Sequence, residues 1–281
     1  MDATDPASGS GPVRRSGRAN GASVILPLPS VGRVFRSQRR VRLGDVDPSG
    51  RLRLDAFARY LQDIATDDSD DLGQLGDRTW VVRRTLVEQR QAPRLDDSVG
   101  LATFCSGTGS RWAERRVSLD GPGGASVETV TLWVHLDPVS GRPKPLPADF
   151  RAVHEVASDG REVTARQEHE PVPVDDPHTH TIPWWPRVTD LDVLDHVNNA
   201  VAWEVVEQTV DRMVGRGRLD LDPAGRVRAE VEFRDAIDHD AVRDARPLTI
   251  ACRAGGGVLE LTLWSSDGST AHITARVSAG R

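Results

Sequence analysis

A carboxylate-rich turn that runs into an amphipathic helix occurs twice in this chain, with the two copies 145 positions apart. The first is Gly44-Asp45-Val46-Asp47-Pro48-Ser49-Gly50-Arg51-Leu52, followed by the helical stretch Leu54 to Ile64. The second is Asp190-Leu191-Asp192-Val193-Leu194-Asp195-His196-Val197-Asn198-Asn199, followed by Ala200 to Val214. At this spacing Asp45 falls on Asp190, Asp47 on Asp192, Arg51 on His196 and Leu52 on Val197. Such a repeat divides the chain into two related halves, each of which must bury the apolar face of one long helix.

The β signal has the same tandem form. In the first half Val130, Leu132, Val134 and Leu136 alternate with Thr129, Thr131, Trp133 and His135, as a half-buried strand requires. Further strands are predicted at Val31 to Leu43, from Trp80, and over Val99 to Cys105 and Arg111 to Leu119. In the second half they are predicted at Thr181 to Arg187, Val227 to Phe233, Leu248 to Arg253, Leu259 to Trp264 and Ala271 to Val277. Gly121-Pro122-Gly123-Gly124 and Gly255-Gly256-Gly257 are turns between strands. Each half is strand, helix, then about four antiparallel strands, an α+β pattern in which a curved sheet covers one helix. On the helices, Phe57, Leu61 and Ile64 share one buried face, as do Ala202, Val206, Val210 and Met213, with Asp55 as a candidate N-cap of the first.

The expected boundaries are a disordered tail over residues 1–30, a first domain over 31–137, a proline-rich linker over 138–180 with a short element near Phe150 to Val156, and a second domain over 181–281. At 281 residues there is enough chain for two cores. No apolar run nears the ~18 residues of a membrane helix, and the first residues lack the apolar core of a secretory signal. These features read as a cytoplasmic protein. With 36 basic and 42 acidic residues the net charge is -6, which excludes a general nucleic-acid binder. The two cysteines, Cys105 and Cys252, are equivalent small buried positions in the two halves rather than a disulfide. His178 and His180 beside Asp175 and Asp176 lack further ligands at metal-like spacing, so neither metal nor cofactor is expected.

The second motif is dense in chemistry. Its Asn198 and Asn199 suit a helix start, where free backbone donors and the positive end of the dipole favour a developing oxyanion, as acyl transfer needs. The same residues also make an ordinary capped turn. Asp47 and Asp192 compete for the role of catalytic carboxylate, and the imidazole of His196 in place of Arg51 favours the second half.

Taken together, these stretches resemble the acyl-acyl carrier protein thioesterases of plants and bacteria, which carry two hotdog domains in one chain. Asp190-Leu191-Asp192 with His196-Val197-Asn198-Asn199 is similar to their D-L-D-V-N-Q-H-V-N-N stretch. Trp80-Val81-Val82 with Arg84, the Leu61 to Ala65 helix, and Trp133-Val134 before Gly141-Arg142-Pro143 extend the likeness over most of residues 31–280. Gly44 to Gly50 also resembles the D-P-x-G turn of hydroxybenzoyl-CoA-type thioesterases. The resemblance implies a hotdog fold and hydrolysis of fatty acyl thioesters of acyl carrier protein or coenzyme A. It implies catalytic roles for Asp192 and His196; Asp47 is their first-half counterpart by the repeat, Asn198 and Asn199 are expected to bind substrate at the helix start, and Phe57, Leu61 and Ile64 are expected to border an apolar tunnel for the acyl chain. The chain departs from plant members in having Leu194 for a catalytic Asn, and Ala236 and Ile237 for a Glu-Cys pair, which excludes a cysteine acyl-enzyme there. A serine hydrolase is disfavoured because no G-x-S-x-G elbow occurs. A dehydratase of the same fold would want Asp and His one position further apart, and a non-catalytic acyl binder would suit Leu194 and Ala236. Whether two chains pair as a homodimer stays open, because the tandem repeat can supply that pairing within one chain.

Overall fold

The computed structural model of the protein describes residues 24–73, 80–244 and 246–280. Strands β1 (Phe35–Arg40), β2 (Trp80–Gln91), β3 (Ser98–Thr108), β4 (Trp112–Asp120) and β5 (Ser126–His135) belong to the first half. The second half contributes β6 (His180–Trp184), β7 (Val227–Phe233), β8 (Leu248–Gly255), β9 (Val258–Trp264) and β10 (Ala271–Ala279). All ten form one antiparallel sheet in the order β1-β3-β4-β5-β2-β7-β10-β9-β8-β6. Read inward from either edge, each half has the same order, and the two meet where β2 pairs with β7 from Arg84 opposite Glu232 to Gln89 opposite Val227.

The long helices α1 (Leu54–Asp71) and α3 (Val201–Gly215) lie against each other and share a core with one face of the sheet. Phe57, Leu61 and Ile64 of α1, with Val206, Val210 and Met213 of α3, meet Val87, Val99, Val117, Val231, Leu261 and Ala275 from the strands. The alternation of those strand residues follows from the two-residue side-chain period of a strand, which sends every second side chain to the helices. Among the described residues no helix is long and apolar enough to cross a membrane.

The stretch read as a linker carries more structure than its composition suggests. It holds helix α2 (Ala148–Ser158), packed on β3, and then crosses the other face of the sheet. There the Glu168 and His169 N–H groups donate to the buried Glu232 carboxylate (2.6 and 3.2 Å), and Val172 N–H donates to Thr262 Oγ1 (2.8 Å). Proline hides such a segment from periodicity, because its hydrogen bonds go to side chains of the sheet rather than to a ladder of its own. A short helix α4 (His239–Arg243) follows β7.

Of the expected tail over residues 1–30, residues 24–30 carry no helix or strand but touch the first-half sheet, and residues 1–23 lie outside the described residues. Leu26 C=O accepts from Nε of the buried Arg116 at 2.7 Å, and Arg116 also pairs with Glu128. Removing residues 24–29 takes an acceptor from a buried guanidinium and is expected to cost about 1–3 kcal/mol. Comparing the thermal melts of proteins that start at residue 24 and at residue 30 tests this, and identical melting temperatures would show that solvent replaces Leu26.

Candidate active site

The two turns of the repeat have closely related backbones. Arg42 and Arg187 N–H groups donate to Asp45 and Asp190, three positions on, at 2.9 and 2.8 Å. Asp47 Oδ1 accepts from Ser49 N–H (2.9 Å), and Asp192 Oδ1 accepts from Leu194 N–H (2.8 Å). Each long helix also sends one side chain to the other half's turn, from positions that are again 145 apart, Gln62 on α1 and Glu207 on α3. What those two side chains find there differs.

In the first half, Glu207 receives both terminal nitrogens of the buried Arg51 (3.0 and 2.7 Å) and also accepts from Leu54 N–H (2.7 Å). Glu207, not Asp55, therefore caps α1. Asp55 lies one residue inside the helix, buried and held by Arg53 and Arg59 (both 2.8 Å). The Asp47 carboxylate is fully engaged. Oδ1 takes Ser49 N–H, Ser49 Oγ and Arg51 N–H, while Oδ2 takes Arg51 Nε at 2.9 Å. Burial would raise its pKa, but the bonds from Ser49 and Arg51 outweigh that and hold it below the ordinary Asp value.

In the second half, Gln62 Nε2 donates to Asn198 Oδ1 (2.9 Å), the same oxygen that accepts Ala200 N–H at the mouth of α3 (2.9 Å). Asn198 thus ties the turn to Ala200, the residue that opens α3. The partly buried Asp192 keeps Oδ2 without a partner among the described residues. The turn closes at Asp195 with φ of 60°, a left-handed conformation that Asp tolerates better than most residues. It is pinned to the segment after β7 by Val197 N–H donating to Ile237 C=O (2.7 Å). The segment bearing Ala236 and Ile237 therefore does lie against the motif.

This turn opens on a cavity of about 1150 Å³. Its lining includes Asp192, Leu194, Asn198 and Asn199 at one end, and Trp80, Trp133, Phe150 and His154 elsewhere, with Gln62, Ala65, Thr66 and Ser69 of α1 along one wall. Several expectations change here. Phe57, Leu61 and Ile64 do not line this space, because the most apolar stripe of α1 is spent on the core, and the cavity takes the adjacent stripe of small and polar residues. Asp47 is absent from the lining as well. His196 also lies outside it. Leu191 bridges Val197 and His196 bridges Asp238 in extended backbone, so with Val197 facing the core the imidazole turns outward and is exposed. His196 acts through its backbone, its C=O accepting Asp192 N–H at 2.8 Å.

Of the backbone donors just before α3, Val197 N–H is taken by Ile237 and Asn198 N–H by Asp190 (2.8 Å). Asn199 N–H has no acceptor among the described residues, and neither has its carboxamide. Cys105 borders the cavity, but burial pushes its thiol up to about 11, which leaves it a poor nucleophile at neutral pH.

Two models of one family match the chain, the acyl-ACP thioesterase N-terminal domain over residues 32–154 and the acyl-ACP thioesterase C-terminal domain over residues 175–239. The chain belongs to the acyl-ACP thioesterase family. Fatty acyl thioester hydrolysis is accordingly its reaction. The 12:0-ACP thioesterase of Umbellularia californica has a solved structure that is 20% identical, with a TM-score of 0.67 over 87% of this chain and 93% of that one. A solved structure from Lactobacillus plantarum, assigned as an oleoyl thioesterase, gives 0.69 at 19% identity over 91% of this chain and all of that one. These likenesses establish the tandem hotdog fold. An uncharacterized protein of Mycobacterium tuberculosis is 27% identical over 228 residues, 80% of this chain and 85% of the relative.

Proposed function

We propose that this thioesterase cleaves acyl-ACP at the second-half motif, with Asp192 as general base and the acyl chain in the cavity between α1, α2 and the first-half strands. The observation that carries the reading is the contrast between the two equivalent carboxylates. Asp47 is saturated and walled in by Arg51 and Glu207, whereas Asp192 has an open oxygen on a cavity of about 1150 Å³. That volume lies just above the usual range for ligand sites, about 300–1,000 Å³.

In this mechanism a water oxygen bonds to the thioester carbonyl carbon while Asp192 Oδ2 takes its proton. The carbonyl oxygen, now negative, is met by Asn199 N–H at the positive end of α3. The C–S bond then breaks, and the departing sulfur recovers the proton from Asp192. Gln62 and Asn198 hold the turn, and His196 supports it from the backbone. Leu194 and Ala236, which replace polar residues of plant members, leave Asp192 without a second polar group in those places. All these residues come from one chain, so a second copy is not required to complete the site. Both the choice of acyl carrier protein over coenzyme A and a cytoplasmic location rest on the family.

Thiol release from matched acyl-ACP and acyl-CoA substrates tests the carrier. The placement of the chain is tested by Ala65→Phe, which projects a ring into the cavity without entering the core and is expected to shift preference toward shorter acyl groups. An unchanged chain-length profile would place the chain elsewhere.

A further inference from the structure

At the part of the cavity bordered by α2, His154 is only 4% exposed yet lines the space, and neither ring nitrogen has a hydrogen-bond partner among the described residues. Its nitrogens are not among the buried unpaired atoms, so they open on the cavity, where an acyl chain that displaces water must offer them a partner. Its ring packs on Phe150 with centroids 4.4 Å apart, and Phe150 packs on Trp80 at 5.1 Å, so the ring is held firmly. The charged groups nearby are already engaged, while Trp133 Nε1, in the same lining, is a buried donor without a partner among the described residues. Asp68 binds Arg33 and Arg115 (both 2.7 Å), Arg115 also reaches Thr103 Oγ1 (3.1 Å), and Glu114 is held by Arg161 and by Ser106 Oγ (2.8 Å). Burial, and then Arg115, lower the His154 pKa to about 4, so the ring is neutral at pH 7, one nitrogen donating and the other accepting.

We propose that the acyl group this site prefers carries a hydroxyl toward its far end, and that His154 receives it. The inference rests on the thioesterase reading of the same cavity. A hydroxyl both donates and accepts, so it satisfies whichever imidazole nitrogen faces it. Position follows from α1. Gln62 holds the catalytic turn, while Asp68, beside His154, lies six residues further on, about 9 Å along the helix axis. The oxygen therefore belongs well beyond the β-carbon of a medium-length chain. A site built to hydrogen-bond a hydroxyl rejects the analogue that lacks it, because the buried partner is then left unpaired.

The test is kcat/KM of the full chain on decanoyl-ACP and on 9-hydroxydecanoyl-ACP. Wild type is expected to favour the hydroxylated substrate at least about tenfold. His154→Leu is expected to lose that preference through slower cleavage of the hydroxylated substrate. His154→Gln, which keeps a hydrogen-bonding head, is expected to retain part of it, and a thermal melt of each preparation reports that the protein is folded. Equal rates on the two substrates in wild type, or an undiminished preference in His154→Leu, would overturn the proposal while leaving thioesterase activity standing. If wild type cleaves neither but releases thiol from other acyl-ACPs, the proposal falls alone; release from none of a chain-length series would overturn the reading of this cavity with it.

Discussion

Asp192→Asn is expected to lower turnover of acyl-ACP at least about 10²-fold with little change in KM, since an amide cannot accept the water proton and general-base catalysis contributes about 10²–10⁴-fold. The substitution keeps Oδ1, so the bond from Leu194 N–H and the shape of the turn survive. Asp47→Asn serves as the internal comparison. It keeps the acceptor for Ser49 and Arg51 N–H but gives up the charge beside Arg51, so its effect is expected on stability rather than on turnover. Steady-state kinetics and denaturation of the two variants separate these outcomes. If Asp47→Asn were the slower enzyme, the working site would lie in the first half and Asp192 would be a cap.

Glu207→Ala is expected to be among the most destabilising single changes in the chain. It leaves the guanidinium of Arg51, 5% exposed, with Asp47 as its one remaining carboxylate beside the Leu52 carbonyl, and removes the acceptor for the first N–H of α1. Breaking a buried ion pair from one side costs about 3–5 kcal/mol. For a chain of this size that corresponds to a melting temperature lowered by roughly 10 °C. A loss under about 1 kcal/mol would mean that water reaches Arg51. The same region sets the acid limit. Burial acts to raise the pKa of Asp47 and Asp55, but arginine and serine partners outweigh it and hold both below their unfolded values. Groups with depressed folded values stabilise the protein above the unfolded pKa and lose that contribution as pH falls through the folded one. Stability is therefore expected to be flat near neutrality and to fall below about pH 4. Asp47→Asn should weaken that dependence.

The helices and most strands were legible because one face of each is buried. The alternation at Val130, Leu132 and Val134 and the stripe at Phe57, Leu61 and Ile64 both record contact with a single core. The sheet order was not legible, since pairing β1 with β3 and β2 with β7 depends on neighbours that are distant in the chain. The cavity wall was misplaced for a related reason. Periodicity finds the most apolar stripe of α1, and that stripe goes to the core, while an empty space beside it can be lined by Ala65, Thr66 and Ser69 without leaving an apolar signature. Helix α2, with His154, falls on the short element expected near Phe150 to Val156, while the prolines on either side hid its full length. The distinction between the two halves was available in principle. The 145-residue spacing that aligns Asp47 with Asp192 also aligns Gln62 with Glu207, and a charged against a neutral residue at that position separates the closed turn from the open one.

Direct attack of water, with Asp192 as base rather than nucleophile, is the central chemical claim, and a single turnover in ¹⁸O-labelled water addresses it. With enzyme in excess over acyl-ACP, the expected product is a free fatty acid carrying one ¹⁸O, and the intact mass of the protein should remain that of the unmodified chain. Unlabelled acid from the first turnover, with ¹⁸O retained by the protein, would instead mark a mixed anhydride formed by the carboxylate itself and contradict the general-base assignment.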